Sequence, residues 1–262
     1  DVEAVAAVAH EHGIPLVADN TFLTPYLFRP FEHGADIVIH SATKYIDGHG
    51  SSTGGVIVDG GRFDWEASGK FPRLTEPDPS YHNLNFAKTF GNGLAFITRA
   101  RVCLLRDLGP CLSPFHSFLF IHGLETLSLR MERHADNALK AAQFLNYHEN
   151  IETVTYPGLP SSPYYDLVKK YFPKGPGAVF SAVIKGGKEG AKTFIARLKL
   201  FSLVANLGDV RSLVIHPAST THSQMSDAEL VTAGISPGAV RFSIGTEHID
   251  DIIEDLRQAL TF

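Results

Sequence analysis

The chain has 262 residues, of which 44% are hydrophobic and 19% charged. This composition excludes a disordered tail and indicates one or two packed domains. The 23 basic and 28 acidic side chains give a net charge of −5 without a Lys/Arg cluster, which argues against a nucleic-acid or polybasic membrane binder. We expect partners that are small molecules or copies of this chain.

Several features favour a cytoplasmic location and exclude common site types. No apolar run reaches the ~20 residues needed to cross a bilayer, and the first residues do not resemble a signal peptide. Cys103 and Cys111 are too few for a secreted disulfide framework. None of the 13 histidines has HExxH or zinc-finger spacing, so no metal is predicted. Because the chain starts on Asp1 and not on Met, we expect an N-terminal part of a longer gene product to be absent.

The first part of the chain alternates between helical and strand patterns. The spacing of apolar residues predicts an amphipathic helix that begins at Val2 and ends at Gly13. Three buried strands are predicted after it, at residues 14–18, 37–39 and 55–58. Continuous Val/Ile runs that alternate with helices indicate a mainly parallel sheet covered on both faces. Residues 62–90 are polar and contain three prolines, so we expect an inserted surface excursion there.

The rest of the chain continues the alternation. Helical periodicity covers residues 94–108 and then 115–148, the latter as one long helix or two joined end to end, with Arg130 on its polar side. Strands are predicted beyond residue 150, at residues 151–155, 179–185, 203–207, 212–216 and 240–244. Helices are predicted at residues 164–172, 190–200 and 249–260.

A lysine preceded by two hydroxyl residues follows the second predicted strand. Ser41, Thr43 and Lys44 all lie at its carboxyl end, which is where ligands collect in open α/β sheets. The amine of Lys44 can therefore react with a carbonyl compound, while the hydroxyl groups of Ser41 and Thr43 donate hydrogen bonds to a phosphate. This combination suggests pyridoxal phosphate. Taken alone, the pattern is equally typical of a surface lysine in a Ser/Thr-rich loop.

A carboxylate ends the first predicted strand, at Asp19. A pyridoxal ring acts as an electron sink only while its ring nitrogen stays protonated, and a carboxylate beside that nitrogen keeps it so. Alone, the sequence Asp-Asn-Thr is also a good turn. Two adjacent strands that end in Asp19 and Lys44 favour the cofactor interpretation.

Several stretches resemble the pyridoxal-phosphate enzymes of cysteine and methionine metabolism. They are Ser41–Tyr45, Leu124–His134, His216–His222 and Val240–Gly245. Within that family, the run Leu74–His82 and the Ser-Thr-Thr-His form of the third stretch are most similar to the O-acetylhomoserine sulfhydrylases. The resemblance covers essentially the whole chain and implies an α/β fold, the fold-type I PLP-dependent transferase.

The resemblance implies roles for four residues around the cofactor. Lys44 would be the Schiff-base lysine and the catalytic base. Asp19 would bind the pyridine nitrogen of pyridoxal 5'-phosphate, and Ser41 and Thr43 would bind its phosphate.

Three further residues are implied to bind the amino-acid substrate. Arg241 matches the family arginine that grips the α-carboxylate, a task that suits its planar two-pronged donor. Asn206 and Ser212 are additional candidates. Asn206 stands where many relatives of the lyase branch carry serine, so it would contact substrate through its backbone.

The resemblance also implies a domain arrangement and an assembly. Residues 1–140 correspond to the C-terminal part of the PLP-binding large domain, including the insertion at about 62–90, and residues 141–262 correspond to the C-terminal small α/β domain. In the family, the N-terminal stretch contributes a helix N-terminus that binds the phosphate. It also contributes residues to the active site of a neighbouring subunit. Without it, we expect open strand edges at residues 14–18 and 37–40. The intact protein is expected to be a homotetramer, a dimer of dimers, and this chain alone to be inactive.

The implied activity is γ-replacement on O-acetylhomoserine by sulfide or another thiol, which gives homocysteine and acetate. The residues do not select the nucleophile, because a carbon nucleophile would use the same lysine. A γ-lyase that acts on cystathionine or methionine would share every catalytic residue. A non-catalytic truncated fragment is the alternative from a different class.

Overall fold

The computed structural model describes residues 1–261, which divide into two compact units. Unit 1 comprises Asp1–Ala42 and Thr53–Phe120, and unit 2 comprises Thr43–Ser52 together with the chain from Ile121 onward. The predicted boundary between residues 140 and 141 falls inside a helix of unit 2, and the domain assignment stays a prediction.

Unit 1 contains a small sheet and a series of short helices. Its strands are β1 (Val17–Asp19), β2 (Ile37–Ser41) and β3 (Gly55–Asp59). Its helices are α1 (Val2–Glu11), α2 (Thr24–Leu27), α3 (Trp65–Ser68), α4 (Pro72–Thr75), α5 (Phe86–Phe90), α6 (Ala95–Arg99) and α7 (Arg106–Leu108). A π-helical segment, Ala100–Leu105, joins α6 to α7. Helix α8 (Pro114–Glu125) begins in unit 1 and ends in unit 2.

The sheet of unit 1 is mixed, which corrects the prediction of a mainly parallel sheet. Strand β2 pairs in parallel with β1 and antiparallel with β3. A parallel return needs a crossover that usually contains a helix, and the chain between Ser41 and Gly55 contains none. Because β2 is paired on both sides, the predicted open edge at 37–40 is wrong. Strand β1 has β2 as its one neighbour among residues 1–261.

The segment 62–90 forms much of the core of unit 1. Trp65, Leu74 and Phe86 are buried there and pack in one cluster with Ile37 of β2. The prediction of a surface excursion was therefore wrong. Short helices before, among and after the prolines turn widely spaced aromatic residues inward, and this arrangement has no regular sequence period.

Most elements of unit 2 match the predicted strands and helices, but the helix at Asp227–Thr232 was not predicted. Its strands are β4 (Ile151–Thr155), β5 (Val179–Ile184), β6 (Ser202–Leu203), β7 (Leu213–Ile215) and β8 (Ala239–Ser243). Its helices are α9 (Leu127–Asn146), α10 (Tyr165–Tyr171), α11 (Gly187–Arg197), α12 (Asp227–Thr232) and α13 (Ile249–Ala259). The long helical pattern of residues 115–148 is two helices, α8 and α9, which separate at Thr126.

The five-stranded sheet of unit 2 has the order β4-β5-β8-β7-β6. All neighbours are antiparallel except β6 and β7. Strand β8 lies at the centre, where Val240 and Phe242 are fully buried. Because side chains alternate along a strand, Arg241 points to the opposite face from these two residues. Because β8 is hydrogen-bonded to a strand on each side, the backbone of Arg241 is held in a fixed position.

A buried carboxylate in α13 fixes the segment that leads to β6. Asp255 accepts hydrogen bonds from the backbone N–H groups of Lys199 at 2.9 Å, Leu200 at 2.8 Å and Phe201 at 3.4 Å. The carboxylate thus satisfies backbone donors that follow the end of α11.

We predict that Asp255→Ala lowers the free energy of unfolding by about 3 kcal/mol, because it leaves three backbone N–H groups without their acceptor. Urea denaturation of the parent and the variant measures this difference. The control is Asp251→Ala, which removes an exposed carboxylate from the first turn of the same helix and should cost less than about 1 kcal/mol. Equal losses in the two variants would contradict the role given to Asp255.

Candidate active site

Lys44 lies in a tight turn directly after β2. The Gly48 N–H donates to the Lys44 carbonyl at 2.7 Å and closes this turn. Gly208 packs directly against it: a Cβ at Gly208 would lie 2.8 Å from the nitrogen of Tyr45 and 3.0 Å from the Lys44 Cβ. Gly208 also has a φ of +76°, which side chains rarely adopt. Only glycine therefore lets the loop that contains Asn206 approach Lys44 so closely.

One residue connects Lys44 to Arg241. The Lys44 Nζ donates to the side-chain Oδ1 of Asn206, and the Asn206 carbonyl accepts a hydrogen bond from the Arg241 Nη2 at 3.1 Å. Three residues selected from the sequence are thus brought together within unit 2. The prediction for Asn206 concerned its backbone, whereas the structure also uses its side chain.

The electrostatics of this group favour an uncharged amine beside an available cation. Burial lowers the pKa of Lys44, and the positive charge of Arg241 lowers it further. Arg241 is half-buried, forms no ion pair with a carboxylate of residues 1–261, and has its own pKa lowered by burial. A lysine with a lowered pKa is a better nucleophile and base near neutral pH. An arginine without a counter-ion is suited to bind a carboxylate.

Asp19 and Ser41 lie at the carboxyl ends of neighbouring parallel strands in unit 1, and Thr21 connects them. The Asp19 Oδ1 accepts from the Thr21 N–H at 2.9 Å. The Thr21 Oγ1 in turn accepts from the Ser41 N–H at 2.8 Å. Sequence reasoning missed Thr21, although polar residues directly after a buried strand were a signal for it.

A buried histidine precedes Ser41. The Nδ1 of His40 has no hydrogen-bond partner within residues 1–261. Burial lowers the pKa of His40, and the backbone of Asn20 and the charge of Asp19 oppose that shift. The imidazole is therefore held toward its neutral form at the carboxyl end of β2.

Two other sequence candidates have different surroundings. Thr43 lies half-buried in the turn directly before Lys44, and its phosphate contact stays a prediction. Ser212 is fully buried, donates to Glu247 Oε2 at 3.0 Å and accepts from the Gly245 N–H at 2.9 Å. Its hydroxyl is therefore occupied by hydrogen bonds to Glu247 and Gly245 within unit 2. The predicted contact of Ser212 with substrate gains no support from this geometry.

Comparison with known proteins decides the family. Residues 1–261 match the model of the Cys/Met metabolism PLP-dependent enzymes. The chain belongs to this family. Among the part of the chain that the structure describes, no helix is long and apolar enough to span a membrane.

Several relatives and one solved structure of the family match nearly the whole chain. O-acetyl-L-homoserine sulfhydrylase of Leptospira meyeri is 55% identical over 99% of this chain and 60% of its own length. Homocysteine synthase of Schizosaccharomyces pombe is 52% identical over 99% of this chain and 61% of its own length. A Campylobacter jejuni crystal structure, described as an O-acetylhomoserine (thiol)-lyase with N'-pyridoxyl-lysine-5'-monophosphate, has a TM-score of 0.92 and 43% identity, and the match covers 100% of this chain and 62% of that one. The chain thus spans about three fifths of the length of these proteins, and the predicted family and α/β fold are confirmed.

We predict that Arg241→Gln raises the pKa of Lys44 toward its ordinary value, because a positive charge near an amine disfavours its protonated form. The pH dependence of Lys44 acylation by acetic anhydride, followed by peptide mass spectrometry on the cofactor-free protein, measures this pKa. Arg211→Gln is the control, since Arg211 pairs with Asp209, and it should leave the profile unchanged. An identical profile for Arg241→Gln and the parent would show that Arg241 does not act on Lys44.

Proposed function

We propose that the full-length protein containing this chain catalyses a pyridoxal-phosphate-dependent γ-replacement, in which sulfide displaces acetate from O-acetylhomoserine and gives homocysteine. Another thiol in place of sulfide would give the corresponding S-substituted homocysteine and acetate. The observation that carries this proposal is the arrangement of Lys44, Asn206 and Arg241, a deprotonatable amine held beside a cation that has no counter-ion among residues 1–261. Relatives with the same family assignment are named O-acetyl-L-homoserine sulfhydrylase and homocysteine synthase, which supports the choice of substrate.

The residues of the chain fit pyridoxal phosphate. Lys44 would attach it covalently, and burial has already lowered the pKa of this amine. Asp19 would bind the ring nitrogen from the end of β1, while Ser41 and Thr43 would donate to the phosphate. When bound, the cofactor supplies an electron sink for the negative charge that develops at the substrate Cα.

Each remaining step is assigned to a residue of the chain. Arg241 binds the substrate α-carboxylate, and its hydrogen bond to the Asn206 carbonyl fixes the guanidinium plane. Lys44 would act as the base at Cα and then at Cβ, one proton at a time because a neutral amine accepts a single proton, and it would pass the Cα proton to the cofactor in between. Acetate would leave with the electrons of the Cγ–O bond, sulfide would form the new Cγ–S bond, and the protons would return to Cβ and Cα through Lys44. Asp19 would hold the ring nitrogen in its protonated form.

Other reactions of the same chemistry are distinguished by their products. A carbon nucleophile could replace sulfide at Cγ without any change in these residues. A cystathionine or methionine γ-lyase would use the same lysine for elimination. The names of the relatives favour replacement by a thiol, and a non-catalytic fragment is the remaining alternative.

The proposal includes an assembly and a location. We infer a homotetramer built as a dimer of dimers, as the family resemblance implies. Association of copies is supported by the exposed apolar side chains of Ile121, Leu124 and Leu129 in unit 2, which an interface would remove from water. A cytoplasmic location is supported by Cys103 and Cys111, which are both free thiols and are compatible with a reducing compartment.

We expect the full-length protein with pyridoxal phosphate to convert O-acetylhomoserine and sulfide into equal amounts of homocysteine and acetate. Lys44→Ala should lower kcat by about 10²–10⁴-fold, because it removes the residue that moves the protons. Chromatographic product analysis and an acetate assay measure both results.

Parallel reactions with cystathionine alone and with methionine alone test the lyase alternative. Turnover of these substrates without turnover of O-acetylhomoserine plus sulfide would contradict γ-replacement. Activity of Lys44→Ala within about tenfold of the parent would remove Lys44 from the mechanism.

We predict that Asp19→Asn leaves cofactor binding intact but lowers kcat at least about tenfold, since a neutral amide can hydrogen-bond the ring nitrogen without favouring its protonated form. Absorbance measures bound cofactor, and steady-state kinetics measure kcat. Asp64→Asn is the control, because Asp64 is an exposed N-cap of α3 and asparagine is an equally good cap. An unchanged kcat in Asp19→Asn would exclude the assigned role.

A further inference from the structure

An arginine that the helical pattern places on the polar side of α9 is buried in the structure. Arg130 has 8% of its surface exposed. Its Nη1 donates to the Tyr45 carbonyl at 2.7 Å, and its Nη2 donates to the carbonyls of Ile46 at 3.3 Å and Gly123 at 2.6 Å. Its Nε donates to the Thr126 hydroxyl at 3.2 Å. The guanidinium therefore holds the two carbonyls that directly follow Lys44.

These two carbonyls need an external donor. The turn that starts at Lys44 is closed by one hydrogen bond, from the Gly48 N–H to the Lys44 carbonyl, and the chain does not continue as a helix. The next carbonyls, of Tyr45 and Ile46, resemble the last carbonyls of a helix, which lack partners in their own segment. A basic side chain can satisfy such groups. Arg130 does this from a helix that is distant in sequence.

Two glycines make room for the contact. A Cβ at Gly48 would lie 2.3 Å from the Arg130 Nη1, and Gly48 has a φ of +76°. A Cβ at Gly123 would lie 2.1 Å from the Ile46 carbonyl oxygen. A larger residue at Gly123 would clash with the backbone of Ile46, and one at Gly48 would be strained by its φ and would displace the guanidinium. The approach of the guanidinium to the turn depends on three separate parts of the sequence.

The cost of burying this charge indicates that Arg130 does more than fill space. Burial lowers the pKa of Arg130, and the buried carboxylate of Asp47 opposes that shift. Taking a cation out of water costs several kcal/mol, and an apolar side chain of similar size often packs as well or better. What an apolar side chain cannot do is fix the direction of carbonyl groups. The guanidinium fixes two of them next to Lys44.

We propose that Arg130 is a positioning residue for Lys44: by holding the carbonyls of Tyr45 and Ile46, it fixes the direction in which the Lys44 side chain projects toward Asn206 and Arg241. This inference rests on the proposed function and deepens it. Arg130 touches neither the amine nor Arg241 in the contacts described above, so it acts through the backbone of the turn alone.

The consequence is a specific pattern of effects. Loss of Arg130 lets the turn relax and moves the Nζ relative to Asn206 and Arg241, the two groups that face it. A misplacement of about 1 Å can cost on the order of 100-fold in rate. Substrate binding depends on Arg241, which stays in β8, so KM should change by less than about threefold. The charged and titratable groups that face Arg130 itself are Asp47 and His134.

The test uses the full-length protein and the variants Arg130→Met, Arg130→Lys and Leu145→Ala. Leu145 is a fully buried residue of the same helix, so its truncation leaves a cavity and lowers the melting temperature without altering the contacts of the turn. Four measurements are made on each protein: the melting temperature, the pH dependence of Lys44 acylation without cofactor, the pH dependence of absorbance of the lysine–cofactor adduct, and kcat with KM.

We expect Arg130→Met to lower kcat about 100-fold and Arg130→Lys about tenfold, because lysine offers a point charge and no fork. In both, the acylation and absorbance profiles should shift from the parent, whereas Leu145→Ala should lower the melting temperature and leave the profiles unchanged. If Arg130→Met does not fold, Arg130→Lys decides the question.

Two negative results have different meanings. Profiles and kcat of a folded Arg130 variant that match those of Leu145→Ala would show that Arg130 is merely structural, and would overturn this inference alone. A parent protein that forms no Lys44–cofactor adduct would overturn the proposed function, and this inference with it.

Discussion

The hydrogen bond from Lys44 to the Asn206 side chain is the interaction on which the candidate site depends. The Asn206 carbonyl also accepts a hydrogen bond from Arg241, so one residue sets the separation between the Lys44 amine and the Arg241 guanidinium. The turn, the loop and the central strand β8 that supply these groups are far apart in sequence. Burial in this setting lowers the pKa of Lys44, which is the condition for a lysine to act as nucleophile and base.

Two arginines of unit 2 serve this arrangement in opposite ways. Arg130 has its donors bound to backbone carbonyls and the Thr126 hydroxyl, and it is rigid for that reason. Arg241 donates one hydrogen bond to Asn206 and forms no ion pair within the described residues, which leaves its remaining donors for a ligand. The two arginines thus differ in how many of their donors the fold uses, and the roles proposed for them, positioning for Arg130 and carboxylate binding for Arg241, follow from that difference.

Much of the fold was predictable because its signals are local. Strands β2, β3 and β4 and helices α1, α9 and α13 follow from apolar periodicity that is visible within one segment. The partners of a strand are not local, so the antiparallel pairing of β3 was missed. The burial of Trp65 and Phe86 was missed for the same reason, since helices of four or five residues carry no period that distinguishes a core segment from an exposed loop.

The family, most strands and long helices, and the positions of Asp19 at the end of β1 and Lys44 just after β2 were predictable from the sequence, because each rests on a short motif or a single run of apolar residues. Only the folded chain shows which polar side chains already have partners within the protein. Ser212 is bound to Glu247 and Gly245, whereas the side chain of Asn206 is directed to Lys44. Hydrogen-bond partners of these residues lie tens of residues away, and no pattern within one segment encodes a contact that forms only when the chain has folded.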